Sequence, residues 1–311
     1  MSDIALTGGT LPAVTEAVER RLSEADLAAL RKAVRALERP GLAARLSAAV
    51  GAPLDIIGRS LPAPVTEVVA RSTEAAMRGA LRVALATLPK VEVAPAPGTA
   101  VEAVAAGAGG RVGRLFGSGA FHHKALAALS GAVGGAFGLA TLAVELPVST
   151  TLMLRSIAEI AREEGEDLED PEGALACVQV FALGGRNTGV SENTGLAESG
   201  YFAVRAALAK TMAEAARYAG SKTLLDQSAP ALIRFTAQIA ARFGLVVSQK
   251  VAAQAVPILG TFGGAAVNTA FMNHFQSMAR AHFTVRRLER AYGQPTVRAA
   301  YEAEKAALGV V

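Results

Sequence analysis

Apolar positions recur at helical rather than strand spacing along most of the chain. Residues 11–38 place Leu11, Val14, Val18, Leu22, Leu27, Leu30, Val34 and Leu37 three to five apart, the stripe of an amphipathic helix. Ser23 and Asp26 supply capping chemistry inside the stretch and Pro40-Gly41 ends it, so the pattern predicts a helical hairpin packed on the main body. The other reading is a membrane-lying or regulatory arm. A second run follows Leu61-Pro62-Ala63-Pro64, with Pro64 suited to a first helical turn and Val65, Val69, Met77, Leu81, Leu85 and Leu88 on one side. Helix signals then stop. Pro89, Pro95, Pro97 and Gly107-Ala108-Gly109-Gly110 mark residues 89–118 as a linker or loop.

Two stretches carry no charge at all. Residues 125–144 read ALAALSGAVGGAFGLATLAV and residues 251–272 read VAAQAVPILGTFGGAAVNTAFM. The first has the length of a bilayer span, but Gly, Ser and Thr weigh against insertion. The second is poorer, with Gln254, Pro257 and Asn268 inside it. Buried helices, or a hydrophobic hairpin that touches lipid, are expected ahead of two stable spans. Gly131 and Gly135, Gly134 and Gly138, and Gly260 and Gly264 form Gly-x-x-x-Gly steps, which let a second helix backbone approach closely in water or in lipid. Superposing Gly134-Gly135 on Gly263-Gly264 aligns the two stretches, which suggests a duplicated hairpin, although shared Ala/Gly composition gives the same likeness. On that overlay Glu145 falls opposite His274.

Between them, residues 163–172 form an acidic run, EEGEDLEDPE, in which Asp170 and Pro171 suit a helix start. Its simplest role is a solvated connection. The next helix is expected to end at Gly184-Gly185, before a polar loop that contains Asn187 and Glu192. Further helices are expected from Ala197 to Tyr218 and from Pro230 to Gly244. These boundaries divide the chain into N-terminal amphipathic helices (1–60), a helix plus linker (61–118), a helical core (119–293) and a tail (294–311).

Composition agrees with an all-α, multi-helix bundle built around the two glycine-rich apolar hairpins. The chain has 311 residues, 51% hydrophobic, 19% charged and 5% aromatic, with 31 Gly and no Trp, far too apolar to stay unfolded. Its net charge of +4 is dispersed, which argues against a nucleic-acid partner. One cysteine, Cys177, leaves no internal disulfide. No cationic and apolar leader opens the chain, so a cytoplasmic location is expected, peripheral at the inner face of the membrane if lipid is the partner.

Catalytic signatures are missing. There is no phosphate loop, no nucleophile elbow and no metal-binding pattern among His122, His123, His274 and His282, so neither a metal nor a cofactor is expected. His122-His123-Lys124 reads as a polar lead-in to the apolar run. Glu145 stands out because it follows twenty uncharged residues and precedes Leu146-Pro147, where a helix is expected to kink. A buried carboxylate needs a partner, and the candidates are His274, Asn268, Asn273 and Arg155. A polar lock between helices is the leading role; Glu145 and His274 as general acid and base is the catalytic alternative. Asn268, Asn273 and Gln276 are expected to hydrogen-bond across to the first hairpin. Arg280, Arg286, Arg287 and Arg290 form a basic helix face that suits water, an anionic membrane surface or an acidic partner.

The segments GAVGGAFGLATLAVELPVSTTLMLRSIAEIAREEG and VPILGTFGGAAVNTAFMNHFQSMA resemble the EcsC family of bacterial proteins over about residues 55–293. Glu145 stands where relatives often carry Asp, and Pro147 and Asn268 fit the family pattern. His274 is less typical. The resemblance implies a link to secretion or membrane-related regulation beside an ABC transporter, and no established reaction. The function expected is therefore a non-enzymatic helical protein that associates with a membrane surface, a lipid or a membrane protein. A hydrolase with a polar pocket formed by Glu145, Asn268, His274 and the Asn187–Glu192 loop is the first alternative, and a soluble scaffold or homo-oligomer the second.

Overall fold

The computed structural model describes residues 21–38, 42, 61–86, 142–184, 200–221, 229–254 and 261–309. Within them the chain forms eight helices and no strand: α1 (Glu24–Leu37), α2 (Ala63–Leu85), α3 (Leu142–Glu163), α4 (Pro171–Leu183), α5 (Tyr201–Ser221), α6 (Pro230–Gln254), α7 (Thr261–Tyr292) and α8 (Gln294–Ala307). The chain is all-α there. Residues 119–141, 185–199 and 255–260, which hold His122, His123, Gly131, Gly134, Gly135, Gly138, Asn187, Glu192 and Gly260, lie outside the described residues. Gly264 falls in the first turn of α7.

Local chemistry accounts for the helix starts. Ser23 caps α1, its hydroxyl accepting from Asp26 N at 3.1 Å, and Asp170 caps α4 with Pro171 in the first turn. Both lie where the sequence pattern puts them. Pro64 opens α2 in the same way. α3 continues through Pro147, with the Thr151 hydroxyl donating to Pro147 O at 2.9 Å.

α6 departs from expectation. It runs on through Gly244 to Gln254, because tertiary packing on both sides outweighs the modest helix penalty of one glycine. An added Cβ at Gly244 would lie 3.8 Å from Thr73 Cγ2, so α2 and α6 meet closely at this point. The described parts of the run 251–272 are accordingly two helix ends, the last turn of α6 and the first turns of α7.

α4 is the axis of the assembly. Every residue from Gly173 to Leu183 is buried, as an all-round apolar helix requires. Around it α2 packs on α3, α3 on α7, α7 on α6, and α6 on α2, with α5 against α4 and α6. α3 and α7 run parallel: Gln276 meets Ser156, Thr284 meets Glu164 and Arg286 meets Glu166, each pair 120 residues apart. α6 runs antiparallel to α7, since the Phe243 ring packs edge-on or tilted against Phe271 and Phe275 while Lys250 lies over Phe271. α3 and α6 are not close-packed neighbours; they face each other across the ring. α1 and α8 lie on α7 and on each other.

Candidate functional site

The most unusual group in the interior is Lys250, a cation with 0% exposure on an apolar stretch of α6. Its ammonium donates to Glu145 Oε1 at 2.7 Å and sits 5.2 Å from the centre of the Phe271 ring. Glu145, 8% exposed, comes from the first turn of α3. The pair therefore links two helices that face each other across the ring. Burial pushes the Lys250 ammonium below its ordinary range, while the Glu145 carboxylate pulls the other way. Removing either member would leave the other charged and buried.

This partner corrects the sequence expectation. None of His274, Asn268, Asn273 or Arg155 is the charge opposite Glu145. Because α3 and α7 pack in a register of 120 residues, His274 lies level with Leu154 rather than with Glu145. Nine residues of helix separate those levels, about 13 Å. His274 Nε2 instead bonds Gly184 O at 3.0 Å, where the axial helix ends. The general acid–base pair imagined for Glu145 and His274 is not assembled. Arg155 and Asn273 are exposed, whereas Asn268 is buried and engaged. Gln276 does bridge to the partner helix, its amide donating to Ser156 Oγ at 2.7 Å.

Lys250 was missed because it falls between the helix expected to stop at Gly244 and the uncharged run starting at residue 251. The signal was present: one cation flanked by VVSQ and VAAQ demands a buried or ligand-bound partner by the same reasoning that singled out Glu145.

The four arginines of α7 meet protein carboxylates. Arg286 forks onto Glu166, which Arg290 also reaches. Arg287 bridges Glu164 and Asp26 at 2.9 and 3.2 Å, and Arg280 reaches Glu163 at 3.5 Å. The acidic run is thus the counter-charge of α7, more than a solvated connection. Burial opposes the charge of Glu166, yet the hydrogen bonds and charges of Arg286 and Arg290 hold its carboxyl below the usual range. Tyr292, which donates to Asp26 at 2.7 Å, adds α1 to the same clasp.

A second buried network joins α5 to α7. Arg205 forks onto Glu289 at 2.8 and 2.9 Å and donates to Tyr201 Oη at 3.2 Å; Tyr201 Oη lies 2.9 Å from His282 Nδ1. Burial and the nearby Arg205 and Arg286 charges keep the His282 imidazole neutral. Tyr201 and His282 are enclosed and Arg205 and Glu289 largely so, and the network ties α5 to α7. Burial likewise pushes the Cys177 thiol up to about 12, leaving it unreactive. No group of three or more His, Cys, Asp or Glu among the described residues is arranged to hold a metal ion. A shallow groove of about 460 Å³ lies between the end of α5 and the start of α6, lined by Arg217, Tyr218, Ser221 and Arg234.

One described helix segment, Pro230–Ala253, is long and apolar enough to cross a membrane, with a mean hydropathy of 1.3. In the fold it packs against α2, α4, α5 and α7 and carries the buried Lys250, with 44% of its most apolar window buried. Comparison with known sequences finds that the model of the EcsC protein family matches residues 24–288. The match takes in α1, and so begins earlier than the resemblance read from about residue 55. No curated protein and no solved structure matches the chain.

Proposed function

The chain belongs to the EcsC protein family, and we propose that it is a non-enzymatic helical protein that docks on a membrane surface by the end of the bundle where α3 begins. The observation that carries this reading is the first face of α3. Val144 is 70% exposed and Val148 43% exposed, one turn apart, while Glu145 between them turns inward. Immediately before them in sequence come the uncharged residues 125–141. Exposed apolar side chains one turn apart on a helix are what an interfacial contact with lipid uses; Val68 on α2 and Ile233 at the start of α6 are exposed elsewhere. The arginines of α7 take a lesser part, since their charge is largely met within the protein; Arg280 and Arg290 are the more exposed of them.

Cell fractionation followed by carbonate washing of the membrane pellet tests the reading. The protein is expected in the pellet at low salt and in the wash after carbonate treatment, as a peripheral protein. Recovery in the soluble fraction under both conditions contradicts it.

A further inference from the structure

The two ring nitrogens of the buried His282 are unequally served. Nδ1 lies 2.9 Å from Tyr201 Oη, which also accepts from Arg205 at 3.2 Å. Nε2 is buried and has no hydrogen-bond partner among the described residues. A neutral ring fits this setting, because its Nδ1 can accept the Tyr201 proton. An imidazolium does not fit. Both nitrogens then donate, so the Tyr201 hydroxyl loses its acceptor and the charged N–H at Nε2 has none. The charges that act on the ring, Arg205 from α5 and Arg286 from α7, are cationic too. Glu289 and Glu166 are occupied in answering those two arginines. From the outer helices come Tyr301 of α8 and Glu38 of α1, hydrogen-bonded to each other at 2.7 Å.

Water reaches this network most directly through α8. Tyr201 meets the His282 ring at 5.8 Å between centres and stacks on Tyr301 at 5.6 Å. Tyr301 and Arg298 also cover Phe202, at 4.9 and 5.5 Å. The covering helix is lightly held. Of its 14 residues only Val297 and Tyr301 are buried, whereas the equally long α1 buries Leu30, Ala33, Val34 and Leu37. A single residue, Gly293 with φ +86°, joins α8 to α7, a conformation that glycine supplies without strain. Apart from Tyr301 to Glu38, its polar tie to α1 is the Arg31–Glu304 fork at the surface. Few buried contacts and exposed ties mark an element that opens before the rest of a fold.

We propose that α8 is an acid-released cover: it lifts about Gly293, uncovers the aromatic surface of Tyr201 and Phe202, and is held open by a proton on the newly wetted His282 while the other helices stay folded. The direction follows from the proton count. The closed ring stays neutral well below pH 6.5, whereas an exposed imidazole titrates near 6.5. The open form therefore binds the extra proton, and acid favours it. Between pH 7.5 and 5.0 the open population rises by up to about thirtyfold. Asp26 and Glu304, whose carboxyls are held below their ordinary range by Tyr292, Ser23 and Arg287 and by Arg31 respectively, titrate below that window. This opening is distinct from global unfolding, in which α4 and α6 would be exposed as well.

Hydrogen exchange of the full chain, read by mass spectrometry and corrected for the intrinsic rate at each pH, tests the cover. Wild type is expected to lose protection about ten- to thirtyfold in residues 294–307 between pH 7.5 and 5.0, with α4 and α6 unchanged. His282→Gln, its fold checked by circular dichroism, is expected to keep the same α8 protection at both pH values. If that variant does not fold, the wild-type profile decides: protection in α8 that is level above pH 7 and falls by nearly tenfold per pH unit below 6 is the signature of one imidazole. Protection in α8 that does not change with pH, a loss spread evenly over all helices, or a loss that persists in folded His282→Gln would each overturn the proposal.

Discussion

At Gly184 an added Cβ would meet the Phe275 ring, with Cζ at 2.8 Å and His274 Nε2 at 3.2 Å. The end of the axial helix can lie against α7 only because this residue has no side chain. Gly184→Ala is expected to lower stability by about 1–3 kcal/mol in chemical denaturation. Gly79→Ala, inside α2 with nothing within 4 Å of the added carbon, is expected to raise it by about 0.5–1 kcal/mol. His282 makes a pH prediction at the same scale. Its folded pKa is well below 6.5, so below pH 6.5 the unfolded chain takes up a proton that the folded chain refuses, and stability falls as pH drops. Tyr201, Arg205 and Arg286 surround the ring; of these, only His282 titrates in that window. His282→Gln is expected to remove up to about 1.4 kcal/mol per pH unit from the slope between pH 6.5 and 5. An identical slope in the variant contradicts the assignment.

Between elements, the Glu145–Lys250 pair is the contact with the largest expected effect. Lys250→Met alone is expected to cost about 3–5 kcal/mol, because it strands a buried carboxylate, and Glu145→Leu combined with it to recover most of the loss. A double variant as unstable as the sum of the singles would show that the two side chains do not act on each other. Several elements were legible in the sequence for physical reasons. The caps at Ser23 and Asp170, the proline starts at Pro64 and Pro171, and the stripe Leu30, Val34 and Leu37 are local signals, and local signals survive folding. The course of α6 past Gly244 and the pairing of Glu145 with Lys250 were not legible. Both depend on which helices become neighbours, and a sequence overlay that set Glu145 opposite His274 could not supply the 120-residue register of α3 against α7.

At the scale of the molecule, the arginines of α7 are met by carboxylates among the described residues, while a few large apolar side chains stand exposed. Arg286, Arg287 and Arg290 close a clasp with Asp26, Glu164 and Glu166 that ties α1 and the α3–α4 connection to α7. Val144 and Val148 stand exposed on the first turns of α3, and residues 125–141 precede them without a charge. On the proposed membrane reading the contact is apolar and depends only weakly on salt. The most direct measurement is flotation of the full chain with lipid vesicles of graded anionic content, beside a Val144→Glu, Val148→Glu variant. Wild type is expected to float with all compositions and to stay bound as salt rises, while the variant stays at the bottom of the gradient. Wild type that does not float, or a variant that floats equally well, would contradict the account.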